Sequence, residues 1–229
     1  MIEFCNVTKS YSAGNEALRG ISLEIRDGEF VFLVGPSGSG KSTIMKLITA
    51  ELTPTAGVVR VNGFSSETVG HKEIPALRRT LGVVFQDFRL IANKSVYDNV
   101  AFAMRVVGAG ERAIRQRVPH VLRLVGLENK PERLPGELSG GEQQRLAIAR
   151  ALVNQPSTII ADEPTGNLDP ARSLEIMSLL QEINRLGTTV LVVTHEMELV
   201  RRFHSRVVIL SNGQIVGDKA EGIGSDEAE

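Results

Sequence analysis

Over roughly the first sixty residues, apolar and polar positions alternate in short runs closed by turn residues, the period of strands covered on one face. Residues 2–7, 17–25 and 57–61 follow this rule, whereas 29–34 (EFVFLV) is apolar nearly throughout. Asp27-Gly28 and Asn62-Gly63 punctuate the runs as hairpin-type pairs, and an antiparallel layer is expected to precede and flank the glycine-rich loop that begins at Gly35. The period then lengthens: STIMKLITAEL sets Ile44, Leu47, Ile48 and Leu52 on one helical stripe. A second apolar strand is predicted over 81–85, ending at Gln86. Residues 96–107 and 111–125 have helical spacing; the second carries arginines on one side and Val118, Val121, Leu122 and Val125 on the other. A helix over 143–152, buried-strand runs at 158–161 and 188–193, and a helix over 173–186 between them complete the pattern. Strands alternating with helices predict an α/β fold: a mainly parallel core sheet, an N-terminal antiparallel β layer, and a helical subdomain inserted at about 88–155.

Composition narrows what such a fold does. The 229 residues are 42% hydrophobic and 23% charged, enough to bury one core with a subdomain, and 1–217 read as a single domain. A net charge of −1 supplies no field to draw nucleic acid or anionic lipid. No apolar run approaches the ~18 residues of a membrane span, and the chain starts on a strand pattern without a basic-then-apolar signal region. These features predict a cytoplasmic protein that meets the inner face of a membrane only through a partner, without inserting itself. The lone cysteine, Cys5, is read as a small core residue, and His71, His120 and His204 as surface or structural. After Gly217 the sequence DKAEGIGSDEAE is acidic and nearly free of apolar residues, which predicts a flexible tail over 218–229.

The chemistry is concentrated in a few short runs. Residues 35–42 read GPSGSGKS. Gly35, Gly38 and Gly40 allow a tight path that turns successive N–H groups inward, and their missing Cβ atoms let a phosphate approach. Pro36, Ser37 and Ser39 complete the loop. Lys41 reaches the β- and γ-phosphates, Ser42 offers a hydroxyl to Mg²⁺, and Thr43 follows on a helix whose positive end faces the same anion. The run TIIADE, 158–163, ends a strand on two adjacent carboxylates, at the end where open α/β sheets bind ligands. Beside a phosphate loop, Asp162 is the natural group to position Mg²⁺ and Glu163 the natural group to polarise an attacking water. LSGGE, 138–142, puts a serine hydroxyl and two glycine N–H groups ahead of a helix. That is either a second anion cradle at a helix N-terminus or a serine cap with flexible glycines.

In order and spacing, GPSGSGKS, Gln86, LSGGEQQR, TIIADEPTGNLD and Val193-Thr194-His195 resemble the motifs of the ATP-binding cassette ATPases, and the resemblance covers essentially 2–217. It implies an enzyme that hydrolyses ATP with Mg²⁺ and forms a homodimer on binding ATP. Two cassettes face head to tail, each ATP lying between the phosphate loop of one and the LSGGE of the other. It further implies that Tyr11 stacks on adenine and that Gln86 senses the γ-phosphate and Mg²⁺. Ser139, Gly140, Gly141 and Glu142 hold nucleotide across the dimer, Asp169 lies in the loop that crosses to the other protomer, and His195 contacts the γ-phosphate. Glu142 stands where many members carry glutamine. Glu163, His195, Gln86 and Lys41 form the catalytic set implied in this way, and Ser42, Gln86 and Asp162 the metal set.

Length, a single cassette and the lack of spans fit a separate ATPase subunit that serves an integral membrane partner. The stretch after Gln86, DFRLI and then NKSVYDNVAFAMRVVG, is similar to that of family members acting in bacterial cell division. For those the implied output is a shape change passed to a permease-like partner that activates peptidoglycan hydrolases. A subunit that moves a solute, lipoprotein or drug is the alternative. Phe88, Leu90 and Ile91 are candidate partner contacts, or else they fill the core of the helical insertion. A nucleic-acid-associated ATPase is disfavoured, since neither a basic patch nor a heptad repeat appears.

Overall fold

The run that reads apolar on both faces ends up covered on both faces. The computed structural model describes residues 1–12 and 14–220. In chain order it contains β1 (Ile2–Ser12), β2 (Asn15–Ile25), β3 (Phe30–Val34), α1 (Lys41–Ile48), β4 (Ala56–Val61), β5 (Phe64–Ser65), α2 (Ile74–Arg79), β6 (Leu81–Val84) and α3 (Val96–Val106). There follow α4 (Glu111–Leu124), α5 (Gly140–Leu152), β7 (Thr158–Asp162), α6 (Pro170–Arg185), β8 (Thr189–Thr194), α7 (Met197–Arg201), β9 (Arg206–Ser211) and β10 (Gln214–Lys219). β3 lies inside a six-stranded sheet of order β10-β9-β3-β8-β7-β6, parallel at every pairing except β9 with β10. Its alternate residues feed two cores. Phe30, Phe32 and Val34 join the helical side, where α3 to α7 pack, while Val31 and Leu33 meet α1 and the antiparallel sheet β2-β1-β4-β5. Each such side chain contributes about 1.5–3 kcal/mol by burial, which is why this strand takes the centre. Among the described residues, no helix is long and apolar enough to cross a membrane.

Asn62-Gly63 behaves as its sequence suggests: both residues have positive φ, 48° and 87°, and the pair closes a two-residue hairpin with Val61 opposite Phe64. Asp27-Gly28 does not. It joins β2 of the antiparallel sheet to β3 of the parallel one, so it carries the chain between layers. Gly28 is fixed there by its N–H on Thr189 Oγ1 at 2.9 Å and its carbonyl on Asn184 Nδ2 at 2.9 Å. A strand apolar on both faces has to leave the half-exposed layer.

Three further expectations are corrected. Helix α1 ends at Ile48 rather than near Leu52, because Ala50 turns left-handed (φ 50°) and Arg78 takes the terminal carbonyls of Thr49 at 2.9 Å and Ala50 at 3.3 Å. Cys5 is not a core residue. It is half-buried on the outward face of β1, donating to Glu3 Oε1 at 3.2 Å, and that hydrogen bond is the main cause raising its thiol pKa. Residues 218 and 219, expected to lie in a flexible tail, are strand: β10 continues to Lys219, and Asp218 takes a bidentate contact from Arg206 at 2.8 Å through both Nε and Nη2. The remainder of that tail, 221–229, lies outside the described residues.

Candidate active site

Four successive strands of the parallel sheet, β3, β8, β7 and β6, end side by side, and each delivers a predicted site residue from its carboxyl end. β3 runs into the phosphate loop, β8 into His195, β7 into Asp162 and Glu163, and β6 into Gln86. Sheet order thus gathers residues that are far apart in the chain.

The phosphate loop is shaped by its surroundings. A Cβ on Gly35 would lie 2.1 Å from the carbonyl oxygen of Leu210 in β9, and one on Gly40 (φ 111°) 2.7 Å from the carbonyl of Ala17. Only glycine lets the chain pass at these two points. Lys41 folds back along the loop, donating from Nζ to Gly35 O at 2.6 Å and Pro36 O at 3.0 Å. Ser37, Gly38 and Ser42 are exposed, and Ser39 is buried with a hydroxyl that finds no partner among the described residues. The Tyr11 ring is 52% exposed beside the loop, its hydroxyl 3.2 Å from Thr43 Oγ1. The ring is held at a fixed distance from α1, with Lys9 Nζ standing over one face 5.9 Å from its centroid.

Glu163 is held more firmly than its neighbour. Its backbone is left-handed (φ 45°), a conformation that costs of order 1–3 kcal/mol in a non-glycine residue and survives only where surrounding contacts enforce it. The contacts are its N–H on Val193 O at 2.8 Å, the Thr194 hydroxyl donating to Oε2 at 3.0 Å, and His195 Nδ1 on Oε1 at 2.7 Å. The Thr194 oxygen in turn accepts Glu196 N–H at 3.1 Å, and Thr165 donates to Glu196 Oε1 at 3.0 Å. Thr194 is fully buried, so its one proton is committed to Glu163. Asp162 points elsewhere. Burial raises its carboxyl pKa, the charge of Glu163 raises it further, and Lys41 opposes both.

These groups fit magnesium. The exposed Ser42 hydroxyl, the Asp162 carboxylate and the Gln86 amide are hard oxygen donors, and a bound cation would reverse the charge penalty on Asp162. Among the described residues, no group of three or more His, Cys, Asp or Glu forms a closed cage. An ion shared with phosphates needs only one or two protein oxygens.

LSGGE caps α5. Ser139 Oγ receives the Glu142 N–H at 3.4 Å, while Glu142 Oε2 accepts the Ser139 N–H at 3.0 Å and hydroxyl at 3.1 Å, the reciprocal arrangement of a capping box. Gly140 and Gly141 face Leu168 and Arg172: a Cβ on Gly141 would come 3.2 Å from Arg172 Cδ. Asp169 caps α6 through Arg172 N–H at 3.0 Å and also pairs with the Arg172 guanidinium. Asn167 Nδ2 reaches Gln86 O at 3.0 Å, which ties this corner to the end of β6. Among the described residues, no hydrogen bond or ion pair joins 35–43 to 138–142. Within one chain, the glycine-rich loop and the LSGGE cap are thus not bonded to each other.

The family model described as ABC transporter matches residues 18–166, a span that contains GPSGSGKS, LSGGE and the Asp162-Glu163 pair. The chain belongs to the ABC family. It is an ABC ATPase, and it binds ATP. It is 55% identical over 224 residues to the cell division ATP-binding protein FtsE of Mycobacterium tuberculosis, covering 97% of each protein. To FtsE of Bacillus subtilis it is 51% identical over 222 residues, again covering 97% of each. Among solved structures it resembles the dimeric ATP-binding cassette MJ0796 in a post-hydrolysis state bound to ADP and Pi, with a TM-score of 0.84, 37% identity, and coverage of 96% of this chain and 98% of that one.

The segment after Gln86 divides in this cassette. Phe88 and Leu90 pack against the helical core, whereas Ile91 lines a surface groove of about 650 Å³ together with Phe85, Arg89, Phe102 and Val106. Phe88 and Arg89 are both left-handed (φ 57° and 49°), and Arg150 of α5 holds their carbonyls, that of Phe88 at 2.8 Å. Sequence reasoning missed Thr165, Arg150, Glu196 and Lys130, which bonds Glu142 at 2.6 Å. Each acts through a partner remote in the chain or through a loop carrying no motif. Thr194 lay in plain view beside His195, but nothing local marks its hydroxyl as bonded to a residue 31 positions away.

Proposed function

We propose that this cassette closes head to tail with a second copy when both carry ATP and Mg²⁺, and that hydrolysis reopens the pair. The observation that carries the reading is the pair of separate cradles in one chain, which a dimer would complete twice over. Gly35 to Thr43 would hold the β- and γ-phosphates with Tyr11 stacked on adenine, and Ser139, Gly140, Gly141 and Glu142 of the other copy would meet the γ-phosphate, with Asp169 at the crossing loop. Ser42, Asp162 and Gln86 would hold Mg²⁺, which when bound offsets phosphate charge. Glu163 would orient and polarise the attacking water, Lys41 would offset the charge that develops, and His195 and Gln86 would register the γ-phosphate. Because contacts to Ser139 exist only in the closed dimer, ATP binding itself performs the closure. Ser139→Arg, which leaves the phosphate loop untouched, is expected to bind ATP yet stay monomeric by light scattering; a normal ATP-driven dimer would overturn the reading.

The motion has an outlet on each copy. The groove is lined by Phe85, Ile91, Phe102 and Val106 together with Arg78, Arg79, Arg89 and Arg150, with Phe102 43% and Val106 66% exposed, and would seat a short helix of an integral membrane partner resembling FtsX. In this reading the cassette lies on the inner face of the cell membrane through that partner, and its cycle regulates peptidoglycan hydrolysis during division. Support comes from the identity to FtsE proteins over nearly the whole chain. Affinity purification from detergent-solubilised membranes is expected to recover an FtsX-like protein. Recovery of a permease with a complete substrate pathway would turn the reading to transport of a solute, lipoprotein or drug.

A further inference from the structure

A phosphate cradle is an unfavourable place for a carboxylate, yet Glu142 sits inside one. Its side chain is 17% exposed, and Oε2 is hydrogen-bonded to both the N–H and the hydroxyl of Ser139, the residue that heads the cradle. Protonation offers no escape, because Lys130 first and Ser139 second hold the Glu142 pKa down at about 2. Among the described residues one cation answers this charge: Lys130 Nζ stands 2.6 Å from Oε1. The other cations nearby are engaged, Arg172 with Asp169 and Arg145 with Glu175. Nor is Lys130 there by accident of a long flexible arm. Its loop is pinned by Lys130 N–H on Leu127 O at 3.1 Å, Arg133 N–H on Lys130 O at 3.2 Å, and Tyr97 N–H on Pro131 O at 2.8 Å.

We propose that Lys130 is a positioning residue of the nucleotide site, cancelling the Glu142 charge so that this carboxylate can orient Ser139 without repelling the γ-phosphate brought by the second copy. The role rests on the head-to-tail dimer. With Lys130 in place, the rim presents a net neutral pair, and the Ser139 hydroxyl, which donates to Glu142 Oε2 in the open form, can turn to the incoming phosphate. Without it, two like charges compete for that hydroxyl in a partly dehydrated cleft.

The test is a double-mutant cycle on the full chain, carried in a Glu163→Gln background so that hydrolysis does not reset the dimer. ATP-driven dimerisation is read by sedimentation in the presence of ATP and Mg²⁺, and ATP binding to the monomer is read separately. Lys130→Met is expected to weaken dimerisation about tenfold or more while monomer binding changes less than about twofold. Lys130→Gln, which keeps a donor but loses the charge, should show the same loss, and it stands in if the methionine variant does not fold; Lys130→Arg should recover most of it. Made together with Glu142→Gln, Lys130→Met should cost less than about twofold, since no charge is left to cancel. Normal dimerisation of Lys130→Gln, or a penalty unchanged by Glu142→Gln, would overturn the proposal. Ser139→Arg separates the two ideas: if it dimerises normally, the dimer reading falls and this one with it, whereas if it blocks the dimer and loss of the Lys130 charge does not weaken it, only the role of Lys130 falls.

Discussion

The phosphate loop and the proposed second cradle are built in opposite ways. That at 35–42 is backbone threaded between β9 and the Ala17-Leu18 stretch of β2, and its shape follows from what a Cβ would strike. That at 138–142 is a helix end at the surface, shaped by side chains: a serine, a glutamate and a lysine from another loop. The first is set by packing, which neither salt nor pH alters much. The second is set by charge, which both alter. In the proposed cycle, a loop that keeps its own nucleotide suits the rigid construction, and a surface that binds and lets go suits the other.

The sharpest way to break this comparison is to add one methyl to each cradle. Gly35→Ala would drive a Cβ to 2.1 Å from Leu210 O and is expected to abolish ATP binding and cost several kcal/mol, whereas Gly140→Ala meets the tip of Leu168 at 3.4 Å and Asn167 O at 3.9 Å and should change stability by less than about 1 kcal/mol. Thermal melts with and without ATP check both, and similar losses would dissolve the distinction. Next in size, Glu163→Gln should slow phosphate release about 10²–10⁴-fold while ATP still binds and dimer accumulates on a sizing column. Turnover at the wild-type rate would remove Glu163 from its role. Thr194→Val deletes the buried hydroxyl that aims Glu163. It is expected to lower kcat about tenfold with little change in KM, and Thr194→Ser should restore it. Equal losses in both variants would mean that packing, not the hydrogen bond, matters there. The smallest effect is on acid sensitivity. The Glu142 pKa is depressed, so its stabilising contribution is present above the ordinary value of 4.5 and is lost as pH falls toward about 2. Amide protection at 138–142 should decline through that window before protection at 35–42 does, and Glu142→Gln should remove the difference.

How much of this was legible in the sequence depended on distance along the chain. Strands and helices with a clean period were readable, and so was each motif that directly follows an apolar run, because local order sets local shape. What the local pattern leaves open is which sheet a strand joins. Asp27-Gly28 has hairpin chemistry, yet the burial demand of Phe30–Val34 pulls the two strands into separate sheets. The sequence 206–219 carries no motif and suggested no element, but it forms β9 and β10, because Val207 joins one core and Val208 and Leu210 the other beside β3, with β10 pairing on the outer side. Cys5 looked like core because it is small and apolar by type, while the phase of the strand, fixed by Ile2 and Phe4, turns it outward. The site divides in the same way. The groups expected to touch nucleotide announced themselves, and those that hold them in place, Thr165, Glu196, Arg150 and Lys130, did not.

Helix α5 carries Ser139 at its first cap and Arg150 in its last turn, thirteen residues that span about 20 Å. Through Arg150 it grips the carbonyls just beyond Gln86. One rod thus has an end at each of two different nucleotides in the proposed pair: the one bound on its own chain, felt near Gln86, and the one carried by the other copy, felt at Ser139. In that proposed pair, a displacement at either end of this helix would be felt at the other.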